Sequence, residues 1–135
     1  MRTKKVNRYY CEFCPKAGCS ASHMARHERG CTKNPNRICR VCGLLEQEQP
    51  DLTLLVAMWP DISQMVTNGI FNAEAHQIVG ATLPAVREAA GNCPACIMAS
   101  LRQADIPVPF VYGFNWTTEM DGVWREFNAS RTESY

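Results

Sequence analysis

The chain has no long apolar run. Its longest, LTLLVAMW at residues 52–59, falls far short of the roughly 20 residues that cross a bilayer, so no membrane partner is expected. It also opens without an apolar leader: MRTKKVNRYY is polar and basic, which argues against a secretory signal and for a soluble, cytoplasmic protein. No glycine-rich phosphate loop, no Ser-His-Asp or Cys-His order and no low-complexity tract stands out, and nothing points to a small-molecule substrate. The expectation is a protein that is not an enzyme. Histidine is scarce, with three residues, whereas cysteine is abundant, with eight. In a reducing cytosol, paired cysteines serve as metal ligands or redox groups more often than as disulfides. A chain of 135 residues holds one domain or two very small ones, and a domain below about 40 residues usually needs a metal or disulfides to be stable.

The net charge of +1 hides an asymmetry. Residues 1–42 carry ten basic side chains against two acidic ones, a net of +8, and residues 43–135 carry four against eleven, a net of −7. The two regions should meet different partners, and the basic one suits a polyanion.

Four cysteines and two histidines crowd into CEFCPKAGCSASHMARHERGC at residues 11–31. Cys11 and Cys14 form one pair; twelve residues separate Cys14 from His27, and three separate His27 from Cys31. On a helix, four positions make a little over one turn, so His27 and Cys31 share a face and can close a tetrahedron with the two thiolates. The rival pair, His23 with His27, leaves a short loop after Cys14 and strands Cys31. Here residues 9–31 resemble a CCHC variant of the ββα zinc-finger family: Tyr9 stands where the family places an aromatic and Met24 where it places a core leucine, while Gly18 replaces the core phenylalanine. The resemblance implies a helix beginning near Ala21 with Ser20, His23 and Arg26 facing bases. Lys4, Lys5, Arg8, Arg29 and Lys33 would then meet phosphates, with low specificity for DNA or RNA. Cys19 has no place in the tetrahedron and is read as a spare buried thiol.

A second set of thiols follows the polar link TKNPNR. Cys39-x2-Cys42-Gly43 suits a knuckle, and Cys93-Pro-Ala-Cys96 opens a helix with proline at its first position. Together the pairs resemble the four-thiolate sites of treble-clef and zinc-ribbon proteins, which implies one closed structural zinc. The separation of fifty residues requires a folded insertion. Iron or an iron–sulfur cluster, a redox dithiol, and two pairs that never meet are the other readings of these thiols.

The insertion reads as helical: DLTLLVAMW at 51–59, a short helix restarted at Pro60-Asp61 and stopped at Asn68-Gly69, then AEAHQIV at 73–79 and PAVREAA at 84–90 closed by Gly91. His76 is read as a helix-surface histidine. PVPFVYGFNW at 107–116 should run extended; Thr118 with Asp121 makes a capping pattern ahead of a stripe of Met120, Val123, Trp124 and Phe127, which should dock on the core, and the polar tail ASRTESY should fray.

The expected fold is a small, zinc-stabilised, mainly α protein: a basic ββα-like finger over residues 1–37, then a helical domain over residues 38–135 held by a four-cysteine zinc site. Two structural zinc ions are the expected cofactors. The partner is a nucleic acid bound through the basic finger, or a protein if the chain is an adaptor or virion component. In segment order the chain is similar to cysteine-rich proteins of bacteriophage and bacterial genomes, which implies a host cytoplasm or a virion as its place.

Overall fold

The computed structural model describes residues 1–133 and is mostly helical. Hairpin β1 (Tyr9–Tyr10) and β2 (Ala17–Gly18) pairs antiparallel, Tyr9 opposite Gly18, and leads into α1 (Ala21–Gly30). Ser20 caps α1, its hydroxyl accepting from the His23 amide at 3.3 Å, which satisfies one of the unpaired donors of a helix start. Met24 and the sulfurs of Cys11 and Cys31 form a small buried cluster, with Cys14 packed on it. An added side-chain carbon at Gly18 would meet nothing within 4 Å, so the missing aromatic leaves open space.

The rest is a helical body. α2 (Arg40–Leu44) is a short turn capped by Cys39, and α3 (Leu52–Met58) is capped by Asp51. A second hairpin, β3 (Val66–Thr67) and β4 (Ile70–Phe71), precedes α4 (Ala73–Ala89), α5 (Pro94–Gln103) and α6 (Trp116–Glu133). Leu55, Trp59, Val79, Leu83, Val86, Ile97, Leu101 and Ile106 form its core. Burial of these side chains at about 25 cal/mol per Å² drives the assembly. The indole N–H of Trp59 donates to the Ser100 hydroxyl at 2.8 Å, so that this buried polar group is paired. Leu55 is 1% exposed; Leu55→Ala should cost about 2–5 kcal/mol, read as a lower urea midpoint of the metal-loaded protein.

Several expectations change. The segment ending at Asn68-Gly69 is a hairpin instead of a helix: both residues have positive φ, 54° and 78°, the pattern of a two-residue turn whose twist matches its strands. Helix α4 is continuous from Ala73 to Ala89 with Pro84 inside it, because Ala75, Val79, Leu83 and Val86 bury one face on both sides of the proline and outweigh its lost hydrogen bond. Gly91 closes α4 as expected. Its φ is +60°, and a side-chain carbon there would come within 2.5 Å of Gln47. Gly43 lies inside α2 and is not a left-handed knuckle residue. Asn115, not the Thr118 pattern, starts α6, accepting from the Thr118 amide at 3.1 Å. The segment before α6 contains a 3-10 turn, Val108–Phe110. In the stripe, Val123 is buried, Met120 and Phe127 are half-buried, and Trp124 stays exposed with its ring edge-on to Phe127. Most of the tail expected to fray continues α6 to Glu133; residues 134–135 lie outside the described residues. His76 is half-buried instead of on the surface, its ring 3.6 Å from that of Phe110 and 5.1 Å from that of Tyr112. Among the described residues, no helix is long and apolar enough to cross a membrane.

Candidate metal centres

Two groups of soft ligands converge. Cys11 and Cys14 from the hairpin meet His27 and Cys31 from the end of α1, and Cys39 and Cys42 of α2 meet Cys93 and Cys96 at the start of α5; in each group the ligand atoms lie within 4.8 Å of one another. The side chains expected to meet do so, at both sites.

Local structure explains the convergence. His27 and Cys31 stand one turn apart at the end of α1, while the amide of Cys11, held by the Lys16 carbonyl at 2.9 Å, turns the hairpin loop back towards them. Cys14 Sγ lies 3.2 Å from His27 Nε2. In the body, Cys39 and Cys93 are both helix N-caps, so both pairs sit in a first helical turn with the second cysteine pointing to the same side. Pro94 at the first position of α5 sets the helical φ and gives up a donor that would have had no partner. Cys39 Sγ is 3.5 Å from Cys93 Sγ, and Cys42 Sγ is 3.5 Å from Cys96 Sγ. A disulfide needs about 2.05 Å, and all eight cysteines are free. Four sulfurs at about 2.3 Å from one ion in a tetrahedron stand roughly 3.8 Å apart, which this group approaches closely. Each group can hold a metal ion.

Neighbouring donors support the sulfurs. The Cys42 amide donates to Cys39 Sγ at 3.4 Å, Gln47 Nε2 to Cys42 Sγ at 3.5 Å, and the Phe13 amide to Cys11 Sγ at 3.4 Å. Gln49 holds the segment before α2, accepting from the Cys39 amide at 2.6 Å and donating to the Arg37 carbonyl at 2.7 Å. Such outer contacts fix ligand orientation and delocalise thiolate charge.

Packing four thiols together separates their titrations. Hydrogen bonds from Cys93 and Cys96 hold Cys39 far below the ordinary thiol range, against burial, with Arg37 adding to the lowering. The bond with Cys39 pushes Cys93 up to about 12, and Cys39, Cys93 and burial raise Cys96 as well. In the N-terminal group, burial pushes Cys31 up to about 11 against the Lys33 amide. Burial also works to raise Cys11, yet the amides of Phe13 and Cys14 bring it down. Cys11 and Cys39 are thus favoured as thiolates while Cys31, Cys93 and Cys96 resist ionising, since like charges in contact cannot all ionise unless a cation sits among them.

The side chains expected at a nucleic acid differ in how free they are. Lys4, Lys5, Arg8, His23, Arg26 and Arg29 are exposed; Arg8 lies 6.0 Å from the Tyr10 ring centre. Ser20 is engaged as the α1 cap. Lys33 is engaged on the surface, its Nζ donating to the Arg102 carbonyl at 2.6 Å and pairing with Asp105 at 3.7 Å. Cys19 is exposed, not buried, because it precedes the cap and points away from the Met24 cluster. Sequence reasoning missed Arg37, which is 7% exposed with its Nε donating to the Gly30 carbonyl at 3.3 Å; as one of ten cations it carries no pattern of its own.

Comparisons with protein-family models, with curated proteins and with solved structures find no match to this chain.

Proposed function

We propose that the protein is a two-zinc protein whose residues 9–31 form a CCHC finger, and that its basic N-terminal region binds nucleic acid. The supporting observation is the exposure of Lys4, Lys5, Arg8, Arg26 and Arg29 at the end of the chain whose net charge is +8. The mixed set of Cys11, Cys14, His27 and Cys31 matches structural zinc sites, and the four-thiolate set is assigned the same metal. Four protein ligands leave no position for substrate or water, which supports a non-catalytic role. Zinc cages of three and four thiolates carry net charges of −1 and −2, and the surrounding arginines offset them. The order of its segments, similar to that of phage and bacterial cysteine-rich proteins, supports a role in a virion or the host cytoplasm.

Five phosphate contacts to a single strand give a salt slope of about −3.5, or about a 100-fold loss of affinity between 50 and 200 mM salt. Fluorescence anisotropy with a labelled oligonucleotide at these two salts reads this directly; affinity that ignores salt contradicts the reading.

A second reading, a protein adaptor, is favoured by the exposed apolar side chains Leu54, Ile70, Tyr112 and Trp124 of the acidic body. A stable oligomer or a stoichiometric protein partner in light scattering, with no nucleic acid carried along, supports it.

A further inference from the structure

We infer that the cleft between α1, α2 and the start of α6 is a binding site for single-stranded nucleic acid, in which arginines hold a backbone phosphate and Trp116 stacks on a base. The inference rests on the nucleic-acid reading above and narrows it to one strand and one site.

The cleft encloses about 440 Å³, and Lys16, His23, Arg26, Arg37, Arg40 and Trp116 line it. The sequence has 13 acidic residues, yet none lines this cleft. Low-dielectric walls bearing charge of one sign focus the field on whatever enters. Arg37 forms a buried part of the wall: it is 7% exposed, its Nε donates to the Gly30 carbonyl at 3.3 Å, and its Nη1 is closed to solvent. Part of its charge answers the sulfur of Cys39, and the cations of Arg26 and Arg40 remain for the ligand.

The contents of the cleft select a strand over a duplex. His23 and Arg26, which face bases when a finger helix lies in a major groove, here share a cleft with Arg40, Val41 and Trp116. Both side chains are exposed, but a double helix that takes α1 into its major groove must also clear α2 and the start of α6 across the cleft, which requires α1 to leave the body. That movement is opposed by the Ile38 amide on the Arg29 carbonyl at 2.8 Å and by Gln103 Nε2 on the carbonyls of Thr32 and Asn34 at 2.8 and 3.0 Å. The volume lies within the range of pockets that take small ligands, and a flexible strand can thread one nucleotide into it. Trp116, 37% exposed at the rim, offers the aromatic face on which bases stack without regard to sequence.

The test uses the full, metal-loaded chain with a fluorescein-labelled oligothymidylate of about 12 nucleotides, within the usual site size of single-strand binders, and a duplex of equal length. The strand should bind more tightly than the duplex. Trp116→Ala should weaken it about 5- to 150-fold, the range measured for loss of one stacked base, while Trp116→Phe keeps most of the affinity. Arg26→Ser with Arg40→Ser should reduce the salt slope by about 1.4, two single-strand contacts. Arg125→Ser, outside the cleft, should leave binding unchanged. Arg26, Arg40 and Trp116 are exposed, so these variants leave the fold intact, whereas the buried Arg37 is left unchanged. Tighter binding of the duplex overturns the inference. So does undiminished strand binding by the cleft variants when Lys4→Ser, Lys5→Ser and Arg8→Ser together weaken it, a result that leaves the broader function standing. Absence of binding to either probe at low salt overturns both.

Discussion

Replacing Cys39 with serine should release one of two metal ions and unfold the helical body. Serine is a poor zinc ligand at neutral pH, and three remaining thiols in contact then have no cation to share. The four sulfurs of Cys39, Cys42, Cys93 and Cys96 belong to the main core with Leu55, Trp59 and Ile97, so α2 and α5 lose their joint as well as an ion. Structural zinc supplies about 10–16 kcal/mol of apparent binding energy to small domains, comparable to or larger than the roughly 5–15 kcal/mol that separates folded from unfolded chains. Far-ultraviolet circular dichroism should therefore show a large loss of helix, and elemental analysis one metal per chain. His27→Ala should behave differently. It acts on the separate cluster of Met24, Cys11 and Cys31, so one metal is lost while the helical signal of the body persists. A folded Cys39→Ser protein that retains both metals contradicts this account.

Acid should strip the same cages steeply. Cys93 is pushed up to about 12 by Cys39, and Cys96 is raised too, while Cys39 is already held as a thiolate. An ion entering the body site near neutral pH displaces at least the protons of Cys93 and Cys96, so its affinity should fall at least about 100-fold for each pH unit lost. The sign is fixed by the direction of proton release: stability owed to bound metal is present at high pH and disappears as pH falls. Titrating metal release with a chromogenic chelator between neutral and mildly acidic pH measures this trend. A release curve that is flat, or that steepens towards alkali, contradicts the cage chemistry.

The ligands were legible because metal chemistry leaves a spacing signature that survives without any alignment. Cys11, Cys14, His27 and Cys31 follow from helix geometry within one short segment, and Cys93-Pro94 names its own helix start. The joining of Cys39 and Cys42 to a pair 54 residues away rested on the C-x2-C spacing within each pair and a resemblance to four-thiolate zinc sites, since the spacing between pairs loses its meaning across a folded insertion. The second hairpin was missed because strands of two residues carry no alternation; the Asn68-Gly69 signal was present, but it also fits a helix stop. Helix α4 was divided at Pro84 because local propensity cannot weigh the buried face on either side of it. The basic cleft was beyond the sequence for a different reason: Lys16, Arg26, Arg37, Arg40 and Trp116 come together only when α1 folds back on the body, and charge counting cannot show which cations meet.

The central claim is that two closed cages hold the chain together, and native mass spectrometry of the purified protein measures it most directly. The account predicts a mass shift of two zinc ions per chain, and collapse to a broad, highly charged envelope once a strong chelator removes them under reducing conditions. A compact, narrowly charged protein that persists after complete metal removal would contradict it.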